Sequence, residues 1–181
     1  SDDSSVLLTS DGEYLIYTTA SAKVSQKYDL YMCSIKSVSK AKKEAKLLDY
    51  GVEKSFKYND GILYYSKQNP DNLAVMTTAY DLKKNKKSDI DFAIKELFLP
   101  SSGDVLYYVK QLSDSQSLYI YSASEGSKEL VKNAANIHFY DDGKNCELLF
   151  ETGSYKEGES ELFSVSPGKN PVQTATTVSS V

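Results

Sequence analysis

A turn that opens at once into an unbroken apolar strand recurs four times along this chain, and no other feature restricts its fold as strongly. The first copy runs Thr9-Ser10-Asp11-Gly12 into Tyr14-Leu15-Ile16-Tyr17. The second runs Asn59-Asp60-Gly61 into Ile62-Leu63-Tyr64-Tyr65. The third runs Ser101-Ser102-Gly103-Asp104 into Val105-Leu106-Tyr107-Tyr108-Val109. A looser fourth copy runs Asp141-Asp142-Gly143 towards Cys146-Glu147-Leu148-Leu149-Phe150. The turn glycines Gly12, Gly61, Gly103 and Gly143 lie 49, 42 and 40 residues apart. Asp-Gly turns suit tight antiparallel hairpins, because glycine tolerates positive φ.

The neighbours of each turn repeat as well. A short strand-like segment precedes it, at residues 6–8, 55–58, 96–99 and 137–140. A third segment follows after a polar loop, at 29–35, 76–82, 117–121 and 161–165. A fourth closes the unit, at 45–50, 89–94, 128–131 and 171–174. Four short strands in roughly 45 residues is the period of a propeller blade. The expected fold class is therefore all-β: a β-propeller-like array of about four four-stranded antiparallel blades, complete in itself or part of a larger propeller. Residues 1–181 read as a single domain, with blades near 5–51, 52–94, 95–134 and 135–177.

This arrangement accounts for the missing alternation. A half-buried strand alternates apolar and polar residues, whereas a strand covered on both faces reads as a continuous apolar run. The second strand of each blade is expected to be covered on both sides by neighbouring blades. Ile16 and Tyr17 should then both be largely buried. A helical reading competes at two places. Residues 88–99 set Ile90, Ala93, Ile94, Leu97 and Phe98 near helical spacing, and 40–48 are rich in Ala, Lys, Glu and Leu. The repeat register assigns both stretches to the closing-strand slot instead. Pro100 also suits the exit of a strand.

Composition narrows the function classes. The chain has 15 Tyr and 6 Phe but no Trp. Its net charge is −4, and all 21 basic residues are Lys. Arg is the favoured bidentate reader of guanine and phosphate, so an acidic chain without Arg is a poor nucleic-acid binder. The run Lys83-Lys84-Asn85-Lys86-Lys87 reads as a solvated hairpin tip. Cys33 and Cys146 stand in no CxxC context and are either buried thiols or one disulfide. No apolar stretch approaches about 18 residues, so no transmembrane segment is expected in this chain. The chain starts at Ser1 and shows no basic region followed by an apolar core. Removal of a leader, or excision from a longer protein, is the expected reason.

The segments TSDGEYLIYTT, YDLYMCSIKS and AKLLDYG resemble the Pro-Asp β-propeller repeat of the TolB C-terminal domain. Similar blades occur in the propellers of dipeptidyl peptidase IV and prolyl oligopeptidase. Asp11-Gly12 and Asp29-Leu30-Tyr31 match the repeat's turn and its third strand. Thr9-Ser10 stand where the repeat has Ser-Pro, and the third copy has Ser-Gly in place of Asp-Gly. The resemblance spans nearly the whole chain and speaks to fold before function. Related propellers usually have more blades. The chain is then either a compact four-blade ring or a module completed by further blades, a partner or a second copy of itself.

The chemistry-bearing residues are sparse. His138 is the sole histidine and sits between Ile137 and Phe139 in a repeat strand, a structural position. Gly153-Ser154 continue into Tyr155-Lys156, so no G-x-S-x-G elbow is formed. Asp141-Asp142 and Asn59-Asp60 read as turn formers. No catalytic residue, cofactor site or metal ligand is assigned. Tyr64, Tyr65, Tyr107, Tyr108, Tyr119 and Tyr121 fall in strand slots and are expected in the core. Tyr28, Tyr80 and Tyr155 lie near loops and are the candidates for stacking on a peptide or glycan.

The expected function is a non-catalytic module that binds protein or peptide, or acts as a scaffold, within a larger secreted or cell-surface bacterial protein. Two alternatives stand beside it. The peptidase resemblance implies a substrate-gating accessory domain of a serine peptidase, and exposed tyrosines suit a glycan-binding domain.

Overall fold

The computed structural model describes residues 6–35, 45–69, 71–101, 104–112, 115–154 and 159–176. The fold is all-β, with 70% of the described residues in strands. The chain divides into two compact units, one ending at Phe92 and one beginning at Ala93.

The first unit is a seven-stranded antiparallel meander. Its strands are β1 (Val6–Leu8), β2 (Tyr14–Ala20), β3 (Tyr28–Ser34), β4 (Lys46–Asn59), β5 (Ile62–Gln68), β6 (Val75–Asp81) and β7 (Lys86–Phe92). The expected closing strand of the first blade and opening strand of the second are one continuous 14-residue strand, β4. Its N-terminal part pairs with β3 and its C-terminal part with β5. Val52 is the changeover residue, opposite Tyr28 on one side and Lys67 on the other. The register shifts between Val52 and Phe56. Gly51, at φ +69°, precedes this bend. Ile16, Leu30, Leu48, Val52, Phe56, Leu63, Tyr65 and Tyr80 form the core of the unit. Each large apolar side chain buried there contributes about 1.5–3 kcal/mol.

The turns behave as their residues dictate. Asp11 Oδ1 accepts from Thr9 Oγ1 at 2.6 Å and from Glu13 N at 2.9 Å. Tyr14 N donates to Thr9 Oγ1 and Thr9 N to Tyr14 O, which closes the β1–β2 turn. Asp60 and Gly61 both have positive φ, the conformation a two-residue type I′ hairpin requires. Residues Lys83 and Lys84 lie in the β6–β7 turn, with Lys84 N bonded to Asp81 Oδ1. Gly103 lies outside the described residues.

The second unit has two four-stranded antiparallel sheets. One contains β8 (Ile94–Phe98), β9 (Val105–Leu112), β10 (Ser115–Ser122) and β11 (Gly126–Val131). The other contains β12 (Ala134–Asp141), β13 (Cys146–Ser154), β14 (Glu159–Val165) and β15 (Val172–Thr176). They share a core: Phe98, Tyr107, Val109 and Leu118 from the first sheet cluster with Ala134, Leu148, Phe150 and Val165 from the second. Two polar ties reinforce this packing. Tyr107 OH donates to Ser166 O at 2.8 Å. Asp141 accepts from both the backbone N and the hydroxyl of Ser101, at 2.6 and 2.7 Å.

The second strands of the blades differ in cover. In β9, Leu106, Tyr107, Tyr108 and Val109 are all buried, as are Leu63, Tyr64 and Tyr65 of β5. In β2, Ile16 is fully buried but Tyr17 is only half-buried, against expectation. Tyr17 lies in a cross-strand row, Val6–Tyr17–Tyr31–Leu47, on the opposite face of the sheet from Ile16. Its ring stacks on Tyr31 at 5.6 Å between centroids, while Val6 is 57% and Leu47 42% exposed. The stacked ring of Tyr31 supplies part of the shelter Tyr17 has.

The helical reading of 88–99 fails: Lys86–Phe92 and Ile94–Phe98 are strands, broken by Ala93 at φ +55°. Of 40–48, Lys46, Leu47 and Leu48 belong to β4, and 40–44 lie outside the described residues. Tertiary pairing overrides helix propensity here, since each closing strand completes a ladder whose other strands are already strongly β.

Candidate functional site

The most elaborate polar cluster among the described residues is built on β4, β5, β6 and β7 of the first unit, around Asp49. Asp49 stands opposite the core residue Leu30 in the β3–β4 ladder, where the register shifts and Leu48 is the extra residue, so Leu48 and Asp49 share one side of β4. Four donors converge on its carboxylate. Lys67 Nζ donates to Oδ1 at 2.8 Å. Lys87 Nζ and Tyr65 OH both donate to Oδ2, each at 2.9 Å. Tyr50 N donates to Oδ1 at 2.9 Å. Lys87 also donates to Leu48 O at 2.7 Å.

The electrostatics follow from this geometry. Partial burial by itself would raise the pKa of Asp49; the hydrogen bonds from Lys67, Lys87, Tyr65 and Tyr50 N outweigh it and bring the pKa down to about 2. Burial, followed by the charge of Asp49 and the hydrogen bond to it, pushes the Tyr65 phenol well above its usual range. Asp49 is therefore an ionised anchor and Tyr65 a permanent donor. Neither is suited to exchange a proton near neutral pH.

Further lysines surround the anchor. Lys46 Nζ donates to Tyr80 OH at 3.1 Å and to Asn85 Oδ1 at 2.6 Å, and Tyr80 OH donates to the same Asn85 oxygen. Lys67 Nζ stands 4.1 Å and Lys23 Nζ 5.4 Å from the ring centroid of Tyr50, which is 47% exposed. These are cation–π distances.

The tyrosines singled out from the sequence are placed differently from one another. Tyr28, at the start of β3, is half-buried against the core of its unit. The ring of Tyr80 is buried within that core, and its hydroxyl is the part that reaches the lysine cluster. Tyr155 lies outside the described residues. His138 is exposed on β12, opposite Leu149 in the ladder. Cys33 and Cys146 are both free thiols. Burial and the neighbouring Asp141 push the Cys146 thiol up to about 11. Among the described residues, no three His, Cys, Asp or Glu side chains gather as a metal-binding group, and no helix is long and apolar enough to cross a membrane.

Solved structures resemble this architecture. The β-propeller domain of the trilobed protease from Pyrococcus furiosus aligns over 92% of this chain and 55% of its own, at 14% identity and a TM-score of 0.58. TolB from Acinetobacter baumannii aligns over 96% of this chain and 43% of its own, at 13% identity and a TM-score of 0.51. Pyrococcus horikoshii acylaminoacyl peptidase aligns over 92% of this chain and 31% of its own, at 11% identity and a TM-score of 0.54.

The fold is that of a β-propeller.

The chain spans about half the length of the first of these propeller structures and less of the other two. Neither a protein-family profile nor a curated protein sequence matches it.

Within this propeller fold, Asp49, Lys67, Lys87, Lys46 and Tyr50 are the residues that sequence reasoning passes over. Lys67 and Lys87 lie 18 and 38 positions from Asp49 and form no local motif with it. Only the strand registers bring them together. A second feature lies in the second unit: a polar cleft of about 320 Å³, lined by Ser122, Ser124, Lys128, Gly168, Lys169 and Asn170 among others.

Proposed function

We propose that this chain is a non-catalytic β-propeller module that binds protein or peptide, or scaffolds an assembly, within a larger secreted or cell-surface protein. The observation that carries this reading is the blade architecture. Core side chains are committed to packing within the units, while the lysines of the Asp49 cluster keep part of their side chains exposed. Its likeness to the propellers of TolB and of peptidases supports the reading. At these identities the likeness bears on the fold. The test is affinity capture from the native envelope with the immobilised chain. A specific partner, retained through a salt wash and absent from a charge-reversed control, is the expected result. Capture of nothing above background overturns the reading.

A second reading has its own support in the likeness to acylaminoacyl peptidase, of which the chain covers 31%. In that case the module gates a hydrolase. The parent open reading frame distinguishes the two: a G-x-S-x-G elbow following these blades favours gating.

A further inference from the structure

We propose that the lysine cluster around Asp49 is the docking point for an acidic peptide segment, with Lys67 and Lys87 as its fixed cations and Lys23 and Tyr50 as its outer contacts. This rests on the binding-module reading and names the chemistry of the partner.

Three observations carry it. The first is charge. Lys67 and Lys87 share one carboxylate, and Lys23 and Lys46 stand in the same cluster. Against these four ammonium groups stand three carboxylates: Asp49, Asp89, which is bonded to Thr78 and acts on Tyr65 through its charge, and Asp29, which accepts from Gly51 N beside Tyr50. The patch is thus positive in a chain whose net charge is −4. Two like charges held on one anion repel each other, and an incoming carboxylate relieves that repulsion.

The second is preorganisation. Lysine normally loses much side-chain freedom when it makes a contact. Here that ordering has already occurred in the fold. Lys87 is held by Asp49 and by Leu48 O, and Lys67 by Asp49 and the Tyr50 ring. Among the described residues, Lys67 directs one of its three N–H donors to protein oxygen and Lys87 two. Among the described residues donors therefore remain on both ammonium groups, and the two lysine side chains are 29% and 42% exposed.

The third is the surface beside the cations. Tyr50 offers a half-exposed aromatic ring between Lys67 and Lys23. An acidic peptide pairs carboxylates with an apolar side chain at this scale, and an amphipathic ring suits that mixture. Planar bidentate recognition of phosphate favours Arg, which the chain lacks. Lysine point charges suit carboxylates taken one oxygen at a time.

The test is fluorescence anisotropy of a labelled Glu-rich octapeptide titrated with the protein. Binding that weakens as salt rises is expected. Lys87→Glu should weaken it about tenfold. Lys23 is exposed and touches only the Tyr50 ring among the described contacts, so Lys23→Glu keeps the Asp49 anchor. It should weaken binding about threefold to tenfold even where Lys87→Glu fails to fold. Lys128→Glu, in the second unit, should leave binding unchanged. An equal loss in Lys128→Glu means general charge attraction and overturns the proposal. So does absence of peptide binding, or displacement of the peptide by an oligouronate at much lower concentration than by unlabelled peptide. A native partner captured equally by wild type, Lys23→Glu and Lys87→Glu leaves the module reading intact and removes this site. Peptide binding with both charge effects, alongside empty captures, keeps this site and removes the wider reading.

Discussion

Tyr65 OH donates to Asp49 Oδ2 across 2.9 Å, tying a core tyrosine of β5 to a largely buried carboxylate of β4. The ring of Tyr65 is among the largest fully buried side chains, while its hydroxyl ends in the charged cluster. One residue thus joins the apolar core of the first unit to its charged cluster.

This relationship makes the stability of the first unit depend on acid pH. Asp49 has a folded pKa of about 2 against an ordinary value of 3.8. A depressed carboxylate pKa stabilises the fold above the unfolded value and ceases to do so as pH falls through the folded one. The contribution, on the order of 2 kcal/mol, is complete near neutral pH and disappears between about pH 4 and pH 2. Asp49→Asn should destabilise by a similar amount near neutral pH and by progressively less on acidification. Denaturant unfolding at several pH values measures both.

Gly51 precedes the bend that lets one strand serve two blades. Its φ of +69° is a region L side chains avoid, and a Cβ there would lie 3.2 Å from Val24 Cγ2. Gly51→Ala should cost roughly 1–3 kcal/mol. Adding Val24→Ala should recover the steric part and leave the dihedral part. Urea midpoints of the single and double variants give the split.

Adjacent leucines of β13 test the face assignment. Leu148 is fully buried in the shared core, whereas Leu149 is half-buried on the other face. Leu148→Ala should cost about 2–5 kcal/mol and Leu149→Ala clearly less. Equal losses in thermal unfolding would place a second covering layer over β13.

The two thiols should react at different rates. Cys146 is buried, and its pKa is pushed up to about 11 by that burial and by Asp141. Its thiolate fraction near pH 8 is then on the order of 10⁻³. Cys33, half-buried on β3, should be alkylated at least about tenfold faster. Timed maleimide labelling followed by peptide mass analysis reads the ratio.

Much of the fold was legible because blade strands carry local signals. Asp11-Gly12, Asp60-Gly61 and Asp142-Gly143 mark turns through their own conformational and hydrogen-bonding preferences. The runs after them are long and apolar enough to be strands. The first strand of the second blade was legible at 55–58, but its fusion with 46–50 into β4 was not. Nothing local tells a turn at Gly51 from a bend within a strand. The half-burial of Tyr17 was equally hidden, since Tyr14-Leu15-Ile16-Tyr17 and Leu63-Tyr64-Tyr65 read alike while their second faces are covered to different extents.

The candidate site was the least legible part. The tyrosines near loops were noticed by position, yet Tyr80 is a core residue, and the exposed ring beside the cations is Tyr50. The sequence by itself determined the all-β class, the four-strand period and the turn positions, because those depend on residues a few positions apart. The tertiary structure alone decided that β4 joins two blades and that Tyr17 is only half-buried. It also decided that Lys67, Lys87 and Tyr65 meet on Asp49. Each of these depends on pairing register and on what packs across a sheet face, and such contacts between distant residues leave no local trace in the chain.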